Sequence, residues 1–290
     1  MTFKTNLVVE GCPALSGFEL LAVHGPDAAA FLQAQTMNDV LALAPGQWHW
    51  NGWLTAKGRV IALFALLRQD EASFLLVLPD HPAEALKSAL QRYVFRSKLQ
   101  LDAATGWVVA AGPTREFAAP DQALGDAEHG WSLDLGGEGG PRTLCLLPPD
   151  SPQRRPAEDR LDAAWREADL AHGLPRLPES QREAWTPQML SLDRLAAFSL
   201  KKGCYPGQEI VARTHYLGQA KRGLVRLSGQ GLMAGMAVAD EAGATGTLVC
   251  AGSDGGIGLA VMAAGAEGPF QAGGHPCHRL PLLGGLARQP

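Results

Sequence analysis

The sequence predicts an α+β protein built mainly from antiparallel sheets, and three patterns favour this class. Between residues 47 and 78, apolar runs alternate with polar turns, which indicates an antiparallel meander. Helical spacing of apolar residues is confined to short segments, of which 157–171 is the clearest. After residue 222, short strands are separated by glycines, and this pattern predicts a small antiparallel barrel.

The composition is that of an ordinary soluble globular protein. The chain has 290 residues, more than the roughly 100–200 of a usual domain, so two or three domains are expected. Its 25 Lys and Arg residues and 29 Asp and Glu residues give a formal net charge of −4, with no polybasic block. Direct nucleic-acid binding is therefore not expected.

Each element of the first half has a local signal. A strand is predicted at Phe18–Val23, and a helix follows from Pro26, which suits a helix start, to Thr36. A second helix is predicted from Asp80 to Val94, where apolar residues recur on one face. The meander between the two helices has the strands Trp48–Leu54, Arg59–Leu67 and Phe74–Leu78.

The second half begins with a stretch of weak periodicity, 113–140, and a proline-rich connector, 148–156. A helix is predicted at Ala157–Ala171. We predict three domains: residues 1–45 with 155–218, residues 46–154, and residues 219–290. The barrel strands of the last domain are Gly223–Leu227, Ala244–Cys250 and Gly256–Met262.

The most informative motif is the run KKGCYPGQE at residues 201–209. Pro206 suits the first position of a helix from Gly207 to Tyr216, which would place Cys204 just ahead of a helix N-terminus. The helix dipole and the two lysines favour an anion there, so Cys204 is predicted to be a reactive thiolate, with Lys202 as its catalytic companion. Alternatively, the glycines only shape a turn and Cys204 is a small buried residue.

Cysteine usage predicts the compartment. The five cysteines are odd in number and widely scattered, and no apolar signal segment opens the chain, which favours a reducing cytoplasm. The longest apolar runs fall far below the roughly 20 residues needed to span a bilayer, so no membrane association is expected.

Six stretches of the chain match a known family in the same order. They are FLQAQTMNDV at 31–40, TAKGR at 55–59, YVFRSK at 93–98, PQ at 187–188, KGCYPGQE at 202–209 and VAR at 211–213. Together they resemble the YgfZ family, the folate-binding relatives of the glycine-cleavage T-protein. The match covers nearly the whole length, and the cysteine motif is its most specific part.

The resemblance implies a ring of three domains around a central hole that holds tetrahydrofolate or another folate derivative. It also implies an accessory role in the assembly or repair of iron–sulfur clusters, and through them in tRNA methylthiolation. Partners would then be iron–sulfur assembly proteins or cluster-dependent enzymes. Because stable clusters usually need four protein ligands, a transient role for Cys204 together with another protein is expected.

Two departures from the T-protein bear on mechanism. The T-protein carries an aspartate essential for aminomethyl transfer on the strand after its Lys-Gly turn, whereas the matching run VIALF at 60–64 has no carboxylate. Aminomethyl transfer is therefore not expected. In addition, Ala171 stands where relatives have a glutamate that contacts the pterin.

Other residues are candidates for folate contacts. Phe18 and Trp165 match aromatic folate contacts of the family, although such rings are equally common in a core. Polar candidates in the matched stretches are Gln35, Asn38, Gln188, Tyr205, Gln208 and Arg213.

Two other functions stay open: a folate-dependent one-carbon transferase, and a binding module that would tolerate Cys204→Ser. Two further signals are discounted. His275 to His278 is predicted to lie in a loop without a second ligand pair, so no metal site is expected. Trp48 and Trp50 alternate along one strand and are predicted to be core rather than base-stacking residues.

Overall fold

The computed structural model describes residues 11–218, 220–243, 245–266 and 268–288. Its helices are α1 (Ala28–Gln35), α2 (Ala83–Gln91), α3 (Asp159–Ala171) and α4 (Gln208–Leu217). Its strands are β1 (Cys12–Pro13), β2 (Phe18–His24), β3 (Trp48–Leu54), β4 (Val60–Arg68), β5 (Ser73–Pro79), β6 (Gln100–Ala103), β7 (Val108–Gly112), β8 (Leu124–Asp126), β9 (Gly130–Asp134), β10 (Thr143–Leu147), β11 (Arg154–Arg155), β12 (Arg222–Ser228), β13 (Ala237–Asp240), β14 (Thr245–Ala251), β15 (Ile257–Ala263), β16 (Phe270–Ala272) and β17 (His275–Leu280).

The first sheet has five antiparallel strands in the order β3-β4-β5-β2-β6, which confirms the meander. Every residue of β3 is buried, because both faces of the sheet are covered. Trp48 and Trp50 lie in the core on one face, with ring centroids 5.4 Å apart, whereas Trp53 packs in a second core on the other face. The two tryptophans are thus core residues, as predicted.

The second sheet has the order β7-β10-β9-β8. Two of its strands, β8 and β9, lie within 113–140, where the sequence predicted no element. They are three and five residues long and begin near glycines, so they are too short for an alternating pattern to emerge.

The third sheet is a closed barrel in the order β12-β15-β14-β13-β16-β17, which confirms the predicted small barrel. Position 244, the predicted start of one strand, lies outside the described residues. The run from His275 to His278 belongs to β17, so its assignment to a loop was wrong. Pairing with β16 holds this run extended despite its proline. The described residues contain no cluster of side chains suited to a metal ion.

After the barrel, residues 281–288 return to the rest of the molecule. The Leu286 carbonyl accepts a hydrogen bond from Trp50 Nε1 at 2.8 Å, and Arg288 Nη2 donates to the Asp134 carbonyl at 2.6 Å. The Leu283 N–H donates to the Ala171 carbonyl at 2.9 Å. This return segment therefore contacts the first sheet, the second sheet and the end of α3.

The first sheet joins β2 to strands beyond residue 46, so the boundary predicted after residue 45 does not separate two sheets. The three-domain division stays a prediction. No helix within the described ranges has the length and apolar character that crossing a bilayer requires.

Candidate functional site

The cysteine loop, residues 199–207, alternates buried and exposed side chains. Lys202 and Tyr205 are 5% and 6% exposed, whereas Cys204 between them is exposed. All five cysteines are described, and the other four are buried. The loop thus presents one thiol to solvent and uses its neighbours as anchors.

The helix that follows begins later than predicted. Its first residue is Gln208, and Gly207 caps it with a φ of 80°, a left-handed conformation that glycine adopts without strain. Pro206 therefore lies in a turn rather than at the first helical position. Cys204 precedes the first helical residue by four positions, so it lies outside the first turn of the helix.

Lys202 is bound to the backbone. Its ammonium group donates to the carbonyl oxygens of Gln33, Thr36 at 2.5 Å and Asn38 at 3.1 Å. Burial lowers the pKa of Lys202 to about 8, and the nearby Asp39 carboxylate opposes that shift. The sequence led us to expect this charge beside the thiol, but in the structure three carbonyl groups at the end of α1 engage it.

A buried polar network supports these carbonyl groups. Asn38 Nδ2 donates to the carbonyls of Trp50 at 2.8 Å and Ala196 at 2.7 Å, which links β3 to the segment before the cysteine loop. Asn51 Nδ2 lies 3.1 Å from His49 Nε2, so that nitrogen accepts and the His49 ring is neutral. Burial, and secondarily the charge of Lys202, lower the pKa of His49 to about 3.

The β3–β4 turn packs directly on the start of α4. A Cβ atom added to Gly207 would lie 2.6 Å from Gly58 Cα, and one added to Gly58 would lie 2.8 Å from Ile210 Cβ. Backbone contact this close requires glycine at both positions. Two motifs far apart in sequence, TAKGR and KGCYPGQE, therefore form one structural unit.

The polar folate candidates fall at different places. Asn38 is engaged in the network above, and the Tyr205 ring lies 4.9 Å from Lys202 Nζ, with burial raising the pKa of Tyr205 to about 12. Gln208 Nε2 lies 3.5 Å from the Lys202 carbonyl, and Arg213 is exposed. Gln35 is partly buried, and its Oε1 has no hydrogen-bond partner among the described residues.

Gln188 lines a cleft of about 510 Å³ between α4 and the barrel. Its Nε2 donates to the Val211 carbonyl at 2.8 Å, while its buried Oε1 has no partner in the described part of the chain. His215 and Arg222 also line this cleft, whose size is within the range of small-molecule sites.

Phe18 and Trp165 belong to a buried cluster of arginines and aspartates. The Arg176 guanidinium lies 4.4 Å from the Phe18 ring centroid, and the Arg142 guanidinium lies 4.9 Å from that of Trp165. Asp169, which is fully buried, accepts from Arg142 at 2.8 Å and from Arg176 at 3.2 Å. One face of each predicted folate-contacting ring is therefore covered by a guanidinium group.

Asp80 completes this cluster from the end of β5. It accepts from Arg176 at 2.9 Å and from Arg166 at 3.0 Å. Burial opposes its ionisation, but the two guanidinium groups outweigh burial and lower the pKa of Asp80. Sequence reasoning missed this cluster because its members are scattered from residue 80 to residue 176 and form no motif.

Two donors in the cluster bear on cofactor binding. Trp165 Nε1 and Arg142 Nη2 are buried and have no acceptor among the described residues. Buried donors without partners are costly, which favours a ligand that supplies acceptors. A folate carries such acceptors in its pterin carbonyl, ring nitrogens and carboxylates. The indole N–H groups of Trp48, Trp53 and Trp131 are also without a partner among the described residues, so an unpaired N–H does not by itself single out Trp165.

The architecture and the exposed cysteine loop together define a chain of the T-protein fold class with a solvent-facing thiol. The structure matches the crystal structure of glycine cleavage system aminomethyltransferase T from Bartonella henselae, with a TM-score of 0.72 and 19% identity. The match covers 95% of this chain and 85% of that one, and it establishes the fold.

Relatives found by sequence identify the family, whereas the structural match identifies only the fold. The tRNA-modifying protein YgfZ of Klebsiella pneumoniae is 30% identical over 231 residues, which cover 74% of this chain and 70% of that one. An uncharacterized protein of Haemophilus influenzae is 30% identical over 213 residues, or 73% and 71% of the two chains. No protein-family model matches. The chain belongs to the YgfZ family.

Proposed function

We propose that the protein is a folate-binding accessory factor for iron–sulfur cluster assembly or repair, and that it supports tRNA methylthiolation indirectly. The observation that carries this proposal is the single exposed cysteine, Cys204, on a loop fixed by buried side chains. The relative from Klebsiella pneumoniae is named a tRNA-modifying protein, and this name supports a role connected with tRNA modification.

In this role Cys204 acts as a transient ligand. Its thiolate binds one iron of a cluster and displaces one ligand of the partner protein from that iron, while the partner keeps the other ligands, because one thiol cannot hold a cluster. Lys202 binds the loop to the carbonyl groups at the end of α1, and the Tyr205 hydroxyl donates to the Ser199 carbonyl within the loop. Ligand exchange of this kind needs no redox step.

Folate is the proposed cofactor, and it supplies the chemistry of its pterin ring when bound. Trp165 and Arg142 would donate to its acceptors. The strand β4 has no carboxylate, so no residue of this strand supports aminomethyl transfer.

Complementation tests the thiol. In cells that lack the endogenous factor, wild type is expected to restore iron–sulfur enzyme activity and tRNA methylthiolation, and Cys204→Ser is expected to fail at equal protein level. Gly203→Ala is the matched control in the same loop, because an added Cβ meets no atom within 4 Å. Equal rescue by Cys204→Ser would make the loop structural and favour a binding module.

Folate titration tests the cofactor. Trp165→Phe removes the unpaired N–H and keeps an aromatic, though smaller, ring, so it is expected to weaken tetrahydrofolate binding by roughly fivefold, about 1 kcal/mol. Trp131→Phe is the control. Trp131 Nε1 is also without a partner among the described residues, but Trp131 belongs to β9 of the second sheet and not to α3. Unchanged affinity in Trp165→Phe would remove this residue from the folate site.

A further inference from the structure

The loop between α2 and β6 exposes large apolar side chains. Phe95 is 84% exposed and Tyr93 is 52% exposed. We call residues 92–98 the aromatic–basic loop. Solvent-exposed aromatic side chains that lie close together in the chain are typical of interaction surfaces.

The same loop carries unpaired positive charge. Arg92, Arg96 and Lys98 are exposed, and no carboxylate of the described residues forms an ion pair with any of them. The Arg96 guanidinium lies 5.2 Å from the Phe95 ring centroid. An exposed aromatic ring beside an arginine can contact an apolar patch of a partner, while the arginine pairs with a negative charge next to that patch.

The loop is anchored at its end. Asp27 Oδ2 accepts from the Lys98 N–H at 2.6 Å, so this carboxylate fixes the backbone and does not pair with the Lys98 side chain. A Cβ atom added to Gly25 would lie 2.4 Å from the Lys98 carbonyl oxygen, which shows how closely the two segments pack. Such anchoring lowers the entropy lost when a partner binds.

The aromatic–basic loop and the cysteine loop are connected through two residues. The Tyr93 ring packs edge-on against Trp53, with centroids 6.0 Å apart. Trp53 pairs with Thr36, and the Thr36 carbonyl accepts from Lys202 at 2.5 Å. This chain of contacts links Tyr93, next to α2, to the backbone that binds Lys202 near the β3–β4 end of the first sheet. The other end of the aromatic–basic loop leads to Gln100, which pairs with His24 at the opposite end of the same sheet.

We infer that the aromatic–basic loop docks an acidic surface of a protein partner and positions that partner at Cys204. The inference rests on the proposed function, because the partner is the protein that shares the cluster with the thiol. Phe95 supplies the apolar anchor, and Arg92, Arg96 and Lys98 supply the charge complementarity. Charge of this kind speeds encounter and fixes orientation.

A protein fits this surface better than an RNA. Nucleic-acid binding depends on many phosphate contacts and on a basic field, whereas this patch of seven residues sits on a chain of net charge −4. An aromatic anchor beside an arginine is the composition of a protein–protein hot spot.

Site-specific photo-crosslinking in cells tests the inference, with p-benzoylphenylalanine placed at position 95 of the full chain. The expected product is a crosslink to one protein whose yield falls roughly tenfold in Arg96→Glu, as for a loss of about 1.4 kcal/mol. Arg96→Lys is expected to keep it. Arg160→Glu, a charge reversal at an exposed position of α3, is the matched control and is expected to leave the yield unchanged. Lysine substitutions in the acidic surface of the captured protein are expected to restore its crosslink to Arg96→Glu.

Three results would overturn the inference: no crosslinked protein, a crosslink to RNA, or a protein crosslink that Arg96→Glu does not reduce. Cys204→Ser separates this test from that of the proposed function. If docking is correct, Cys204→Ser keeps the crosslink while it loses iron–sulfur rescue. If Cys204→Ser rescues fully, the proposed function fails, and the crosslink still decides whether the loop docks a protein.

Discussion

Lys202 shows how a single residue can have a structural task inside a reactive motif. Its ammonium group binds three carbonyl groups, so Lys202→Met is expected to leave those acceptors unpaired and to lower the free energy of unfolding by about 3 kcal/mol. Urea unfolding measures this change. Lys201→Met is the neighbouring control, because Lys201 is exposed, and a loss below about 0.5 kcal/mol is expected. Equal losses in the two variants would show that the contacts of Lys202 do not stabilise the fold.

His49 gives the stability a defined pH dependence. The native state keeps this ring neutral down to about pH 3, whereas the unfolded chain takes up a proton near pH 6.5. Its contribution to stability is therefore fully present above about pH 6.5. It is lost at up to about 1.4 kcal/mol per pH unit as the pH falls from there toward 3.

Urea unfolding between pH 7 and pH 5 measures the His49 contribution. His49→Gln keeps a polar side chain without a titrating ring, so it is expected to reduce the pH slope over this range. The same slope in wild type and His49→Gln would assign the acid sensitivity to other groups.

At the scale of elements, the unit formed by the β3–β4 turn and α4 depends on glycine. Gly207→Ala combines a left-handed φ with a contact of 2.6 Å to the Gly58 backbone, so a destabilisation of about 2–4 kcal/mol is expected. The iodoacetamide reaction rate of Cys204 is also expected to change, because α4 must shift. Thermal unfolding and alkylation kinetics measure the two effects.

Gly203→Ala is the control for Gly207→Ala, since position 203 has room for a methyl group. It is expected to change neither quantity appreciably. If Gly207→Ala were equally silent, the close packing of the turn on α4 would not determine the position of the thiol.

The sequence predicted those elements that have a strong hydrophobic periodicity or that belong to a run of consecutive strands. The meander and the barrel follow from local patterns, and the structure bears them out. The strands β8 and β9 could not be predicted, because they are short and are fixed only by pairing with β10 and with each other. For the same reason the start of α4 was misplaced: the left-handed Gly207 is imposed by its contact with Gly58, which lies 149 positions earlier in the chain.

The candidate site was predictable only in part. The motif predicted Cys204 as the reactive thiol; the structure places it at the surface, and its reactivity stays a prediction. The partners of Lys202 could not be read from the sequence, because they are backbone carbonyl groups more than 160 residues away. The covering of Phe18 and Trp165 by arginines also follows from tertiary packing alone.

At the scale of the molecule, the arginine–aspartate cluster joins the first sheet, the second sheet and α3. Asp169→Asn is expected to leave Arg142 and Arg176 with insufficient counter-charge and to cost about 3–5 kcal/mol. Asp159→Asn, at the exposed start of the same helix, is expected to cost below about 1 kcal/mol. Denaturant unfolding of both variants measures the difference, and a small effect of Asp169→Asn would show that the cluster contributes little net stability.

The return segment 281–288 also constrains how the molecule is made. These residues hydrogen-bond to Trp50, Asp134 and Ala171, all of which leave the ribosome well before them. During translation these contacts of the two sheets and α3 therefore form only after residues 281–288 have been synthesised. Until then the buried N–H group of Trp50 lacks the Leu286 carbonyl as its acceptor. A chain interrupted after the barrel would contain every sheet and yet lack the hydrogen bonds by which this segment joins the two sheets to α3.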